Sequence, residues 1–290
     1  MKGGVTPLKQ FLHLTLLLSA FILISDNWAQ QPSPAGGSWL TLKQGTFVAA
    51  VDNPSLDRGF EKGFTIEFWM YLKRLPQELE QWPLMNKPGS YAIWLEGNEA
   101  GFNENTVLVS CYMRDTTGAF ISGVGFQREP DEATERWVHI VFQVKGPRYW
   151  SYFNGELREQ GEIRVPKAFI VPKNTDSPFF INFSGNLGTH RAPYQTQSFE
   201  GFIDEVRISS VNRYKDENIE AQIRRTFQPD VHTAALWHFD DFDRLNPAEG
   251  ANARFYQDAS RNGNTLRLMD IAAVEPNAKL ATTWGAMKSR

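Results

Sequence analysis

Phe199-Glu200-Gly201-Phe202-Ile203-Asp204-Glu205-Val206-Arg207-Ile208 decides how this chain is read. Its period of two marks a strand. On that period Phe202, Val206 and Ile208 share a face with Asp204, while Glu205 and Arg207 point the other way. A carboxylate among apolar neighbours is costly unless it is hydrogen-bonded, ion-paired or bound to metal. The stretch therefore predicts a β-rich core with one buried negative charge. The strict alternation places no cation beside it.

Other segments carry the same period. Phe64, Ile66, Phe68 and Met70 alternate with Thr65, Glu67 and Trp69. Val138, Ile140, Phe142 and Val144 alternate with His139, Val141 and Gln143. Asn154-Gly155 predicts a type I′ hairpin, because both central residues of that turn need positive φ. Glu156 to Ile163 then returns antiparallel. Phe179, Ile181 and Phe183 make a further run, closed by Ser184-Gly185-Asn186. Many short strands separated by Pro and Gly argue for a sandwich or barrel. One helix is expected, over Asp216 to Phe227, where Ile219, Ile223 and Phe227 recur every fourth residue. Acidic residues lead that segment and Arg224 and Arg225 trail, as the helix dipole favours.

The order of the motifs resembles the laminin-G-like jelly rolls of the concanavalin-A-like lectin/glucanase superfamily. Phe64-Thr65-Ile66-Glu67-Phe68-Trp69, Trp137-Val138-His139-Ile140, Tyr152-Phe153-Asn154-Gly155 and Phe199 to Ile208 each resemble a family strand. Ala235-Leu236-Trp237-His238-Phe239-Asp240, with Asp258 to Asn264, resembles its closing segment. The resemblance implies an all-β, two-sheet antiparallel jelly-roll sandwich with one short helix, over residues 39–285. It also places the closing segment beside the first strand near Phe47.

The chain starts with Met1-Lys2 and Lys9, then an apolar run from Phe11 to Ile24 and Asn27-Trp28-Ala29. A basic start, an apolar stretch of about 7–15 residues and a small residue at the cut describe a secretory signal peptide. Residues 1–29 are read as that signal and 30–38 as a flexible lead-in. The mature chain is expected to be secreted or periplasmic, with no membrane span. Removing Lys2, Lys9 and Asp26 leaves 28 basic and 32 acidic residues, a net charge of −4. That balance, without a basic run, excludes a nucleic-acid partner. Cys111 is the only cysteine, so no intrachain disulfide forms. It lies in a strand pattern and reads as a small buried apolar residue.

Catalytic constellations are absent from the sequence. His139, His190, His232 and His238 lack zinc spacing. There is no G-x-S-x-G elbow. The E-x-D-x-E strand of the family's retaining glycosidases is also missing, since Glu200 stands four residues from Asp204 and Glu205 faces the other way. The reading is a non-enzymatic binding module for a carbohydrate, with a cell-surface protein partner or an unusual glycoside hydrolase as alternatives.

Two sets of site residues follow. Calcium takes about six to eight oxygens, many from backbone carbonyls, and needs no compact motif. The resemblance implies a structural calcium at the sandwich edge, with Asp204 as a ligand and Asp52 and Asn53 as contributors. The alternatives are a hydrogen-bonded carboxylate at Asp204 and a simple turn at Asp52-Asn53. Trp82, Trp94 and Tyr194 are expected in exposed positions where they could stack on a sugar, whereas Trp69, Trp137 and Trp237 lie inside strand patterns and read as core or half-buried.

Overall fold

The computed structural model describes residues 32–97, 107–114, 120–128, 130–162, 171–184, 195–196, 198–240, 243–244 and 254–270. The expected signal peptide, Tyr194 and the chain beyond residue 270 lie outside them.

The architecture is the expected all-β sandwich of two sheets. The first has seven strands: β1 (Leu40–Leu42), β3 (Phe64–Leu72), β8 (Trp137–Lys145), β9 (Arg148–Phe153), β10 (Glu156–Glu162), β13 (Gly201–Ser209) and β14 (Thr233–Trp237). Its order is β1-β13-β3-β8-β9-β10, with β14 also on β13. The second sheet has ten: β2 (Thr46–Ala50), β4 (Glu80–Lys87), β5 (Tyr91–Glu96), β6 (Val107–Arg114), β7 (Phe120–Arg128), β11 (Phe179–Ile181), β12 (Gln195–Thr196), β15 (Asp243–Arg244), β16 (Arg254–Tyr256) and β17 (Leu266–Asp270). All pairings in it are antiparallel except β12 on β4.

The alternating runs explain the core. Phe64, Ile66, Phe68 and Met70 from β3, and Val138, Ile140, Phe142 and Val144 from β8, all face the space between the sheets. Leu84, Ile93, Phe179 and Ile181 meet them from the other sheet. Each such side chain contributes about 1.5–3 kcal/mol when fully buried. Trp237 is fully buried and stacks on Phe179 at 5.4 Å, and its Nε1 donates to the Asn264 carbonyl at 2.6 Å. Cys111 is buried, and burial pushes its thiol well above its usual range.

The Asn154-Gly155 hairpin forms as expected, with φ of 49° and 85°. A Cβ on Gly155 would lie 2.6 Å from the Glu220 backbone, so glycine is also required sterically. The closing segment packs as expected too. Asp258 to Asn264 is a loop whose Asn262 carbonyl accepts from Asn53, and β17 pairs with β2 so that Met269 lies opposite Phe47.

Three expectations are corrected. Asp216–Phe227 is no α-helix; it holds only the 3-10 turn Glu220–Gln222. The backbone of Glu217 and Ile219 bonds to Leu157 and Gly155 of the β9–β10 hairpin, which takes the groups a helix would use. The one α-helix among the described residues is Pro130–Ala133. Phe183 does not continue the run of β11, because Asn182 takes φ of 66° and turns Phe183 onto Phe47 and Phe180. Phe202 does not share a face with Val206 and Ile208. Its neighbour Ile203 joins them in the core, because a bulge intervenes. The register of β13 on β3 slips between Asp204 and Arg207, and Glu205 has φ of 52°. One extra residue reverses the parity of everything after it.

Candidate functional site

The outer face of the seven-stranded sheet is ordered in rows, one residue per strand. Phe202, Tyr71 and Trp137 form the first row, and Asp204, Trp69 and His139 the second. Beyond the bulge come Arg207, Glu67 and Val141, then Ser209, Thr65 and Gln143. The segment after β13 covers the last two rows. Tyr214 and Ile219 pack on Val141 and Tyr152, and the Arg207 guanidinium lies 4.5 Å from the Phe227 ring centre.

Glu67 is the charged centre beneath that cover. It is fully buried and accepts from Arg207 Nε at 2.8 Å and from the Tyr214 hydroxyl at 2.6 Å. His139 Nε2 stands 3.6 Å from its Oε2. Burial alone would raise the Glu67 pKa, but Arg207, His139 and Tyr214 outweigh it and hold it at about 2. This is a closed ionic core with no room for a substrate.

The first row, joined by Trp69 of the second and by Trp39, is different. Trp39, Trp69, Tyr71, Trp137 and Phe202 form one aromatic cluster, in which Trp39 and Trp69 remain only partly buried. Trp39 lies 6.0 Å from both Trp137 and Phe202, and Tyr71 lies 5.3 Å from Phe202. The Lys73 ammonium stands 5.0 Å over the Phe202 ring at the rim. The Trp69 Nε1 points inward, buried and without a partner among the described residues, so only the indole face is open. Flat apolar rings beside a cation can stack on one face of a sugar and bond its hydroxyls.

Asp204 and Glu205 sit between these regions. β1 pairs with β13 up to Ile203, and β14 pairs with it from Val206 onward, so the bulge falls in the gap between two edge strands. Chain on either side closes the gap. Asp204 accepts from the Ser33 hydroxyl through Oδ2 and from the Glu205 N–H at 2.9 Å through Oδ1. Glu205 takes the Phe227 N–H at 2.6 Å and His238 Nδ1 at 2.6 Å. Burial, with Glu205 and Asp240 nearby, pushes the Asp204 pKa up to about 8. The Glu205 contact raises that of His238. The lead-in is thus docked: Ser33 holds Asp204, and the Ser38 N–H donates to Asp240 at 2.8 Å.

These donors do not fit calcium at Asp204. Both its oxygens are engaged, by the Ser33 hydroxyl and the Glu205 N–H. Among the described residues no three His, Cys, Asp or Glu side chains converge as a metal would need. Asp52 and Asn53 bond elsewhere. Asp52 accepts from Lys87 Nζ at 2.7 Å. Asn53 caps the 3-10 turn Pro54–Leu56 by accepting the Ser55 N–H.

The aromatic expectations divide in the same way. Trp82 is fully buried in the core and Trp94 is buried on β5, so neither has the exposure expected of it. Both lie in paired strands of the second sheet, opposite Leu95 and Pro83. Trp69, half-buried, and Trp137, buried, fit the core or half-buried places expected of them, but belong to the outer cluster rather than the space between the sheets. Sequence reasoning missed that cluster, although the odd positions Trp69 and Tyr71 of β3 already pointed away from the core.

A family model for the concanavalin A-like lectin/glucanases superfamily, Laminin_G_3, matches residues 43–217. No curated protein matches the chain. Among solved structures, a proposed carbohydrate binding protein from Bacteroides ovatus is similar with a TM-score of 0.52 at 16% identity, over 80% of this chain. The chain spans 61% of that protein's length. The binding domain of botulinum neurotoxin DC, solved with SialylT, has a TM-score of 0.43 at 10% identity, covering 64% of this chain and 44% of that one. Botulinum neurotoxin type C, whose cell entry depends on two ganglioside molecules, has a TM-score of 0.44 at 11% identity, covering 78% of this chain and 56% of that one.

Proposed function

We propose that this chain, which belongs to the laminin-G-like family of the concanavalin A-like lectin/glucanases superfamily, is an exported, non-enzymatic module that binds a carbohydrate. The observation that carries this reading is the partly open aromatic cluster of Trp39, Trp69, Tyr71, Trp137 and Phe202 on the outer sheet face. A sugar ring lies against the partly open Trp39 and Trp69 indoles, and its hydroxyls reach the Lys73 ammonium. The similar fold of a proposed carbohydrate binding protein agrees with this.

Binding rather than hydrolysis is favoured by the state of the carboxylates. Asp204, Glu205 and Glu67 are fully buried and committed to internal partners, so none can reach a glycosidic bond. Export rests on the basic start and apolar run of residues 1–29. No helix among the described residues is long and apolar enough to cross a membrane. A glycan array probed with the mature protein tests the reading, in chelator and in millimolar calcium. Binding that is equal in both is expected. An array with no binder, alongside saturable binding to a surface protein, would transfer the aromatic cluster to a protein partner.

A further inference from the structure

Asp52, the expected calcium contributor, is neutralised by a side chain. Lys87 ends β4 and is fully buried. Its Nζ is enclosed by four oxygens: Asp52 Oδ1 at 2.7 Å, Asp57 Oδ2 at 3.2 Å, and the carbonyls of Ser177 at 2.6 Å and Thr175 at 3.4 Å. Two carboxylates and two carbonyls are the donor set of a hard divalent cation. An ammonium serves that set incompletely, having only three N–H groups. Thr175 stands at the limit of bonding, and the buried Asp57 Oδ1 has no partner at all. One positive charge also opposes two negative ones. Accordingly, burial raises the Asp57 carboxyl above its ordinary pKa despite the pull of Lys87.

The cage ties three distant pieces of chain together. Asp52 and Asp57 flank the Pro54–Leu56 turn, and Thr175 and Ser177 precede β11. The Thr175 N–H also donates to Asp57 Oδ2 at 2.7 Å. From this geometry we infer that the Lys87 ammonium takes the place of a bound divalent cation, and that this end of the sandwich is thereby independent of metal. The inference stands apart from the glycan reading and concerns a different sheet.

Truncating the side chain should reopen the cage. Lys87→Ala leaves the buried Asp57 and the partly buried Asp52 carboxylates facing each other across an emptied volume, and it should melt far below the wild type in chelator. Millimolar calcium should raise its melting temperature by several degrees, since a ligand that binds only the folded state stabilises it. The wild type should not respond. Adding Asp57→Asn to Lys87→Ala should remove the calcium response. Lys87→Met, which fills the space without charge, should be destabilised and indifferent to calcium. The inference is overturned if Lys87→Ala melts alike in chelator and calcium, or stays insoluble in both. It also falls if the wild type gains as much from calcium as the variant.

Discussion

The two faces of the seven-stranded sheet are built on opposite terms. Its inner face is almost wholly apolar: Ile66, Phe68, Ile140, Phe142, Ile203 and Ile208 meet the second sheet, and the buried Ser151 opposite Phe142 is a polar exception. Its outer face carries Glu67, Arg207, Asp204 and His139, all nearly or fully buried, beside an aromatic cluster that stays partly open. Strand alternation alone makes the inner face. The outer face needs help from outside the sheet: Tyr214 and Phe227 cover its ionic half, and Ser33 and His238 close the bulge. Burial by a second sheet yields stability. Burial by loops leaves an edge where the cover stops, and Trp39 and Trp69 lie at that edge.

The inner face should break most severely. Trp237→Ala removes a fully buried indole, its stacking on Phe179 and its bond to Asn264. It should cost about 3–5 kcal/mol in urea unfolding. A loss under about 1 kcal/mol would mean that the closing segment is not part of the core.

On the outer face, Glu67→Gln leaves the Arg207 guanidinium buried without its counter-charge. Breaking such a pair costs about 3 kcal/mol or more. The wild-type contribution is present above the unfolded carboxylate pKa and disappears as pH falls toward about 2, where folded Glu67 takes up its proton. The stability gap between wild type and Glu67→Gln should therefore narrow in acid. A gap that is constant with pH would show that the pairing is unimportant.

Asp204 has the opposite sign. Its folded pKa of about 8 lies above the unfolded value of 3.8, so the folded state holds a proton that the unfolded state releases. Its favourable contribution is complete below the unfolded pKa and is lost as pH rises through about 8. Asp204→Asn mimics the protonated form and can keep both bonds. Its stability relative to wild type should rise between about pH 4 and pH 8, then level off. A relative stability that falls over that interval would mean the carboxylate is charged and stabilising in the fold.

Much of this architecture was legible in the residues. Phe64 to Met70 and Val138 to Val144 have one environment on each side, and a period of two reports that directly. Asn154-Gly155 fixed its hairpin because the turn needs two positive φ values. The bulge at Glu205 was not legible. A single inserted residue leaves the composition unchanged while reversing the face of every later side chain, so Arg207 joined the face of Asp204 rather than opposing it. The false helix over 216–227 has a related cause. Ile219 and Phe227 are apolar because the segment drapes over a sheet, and that contact mimics a helical spacing. Lys87 and Asp52 could not be paired from sequence, since 35 positions separate them and only the fold brings them together. Trp82 is buried because its strand turns it into the core, whereas whether an outer-face tryptophan such as Trp39 stays open depends on where a covering loop ends.

The most direct test of the glycan account is a calorimetric titration of one array-selected oligosaccharide into wild type, Trp39→Ala and Trp69→Ala. Melting curves of each protein should be recorded alongside. Trp39→Ala should lower the melting temperature only slightly, as it is partly buried at the margin of the core. Its affinity should fall by at least about tenfold, the equivalent of about 1.4 kcal/mol, and Trp69→Ala should behave similarly. Unchanged affinity in both folded variants would contradict the account and place the sugar elsewhere on the molecule.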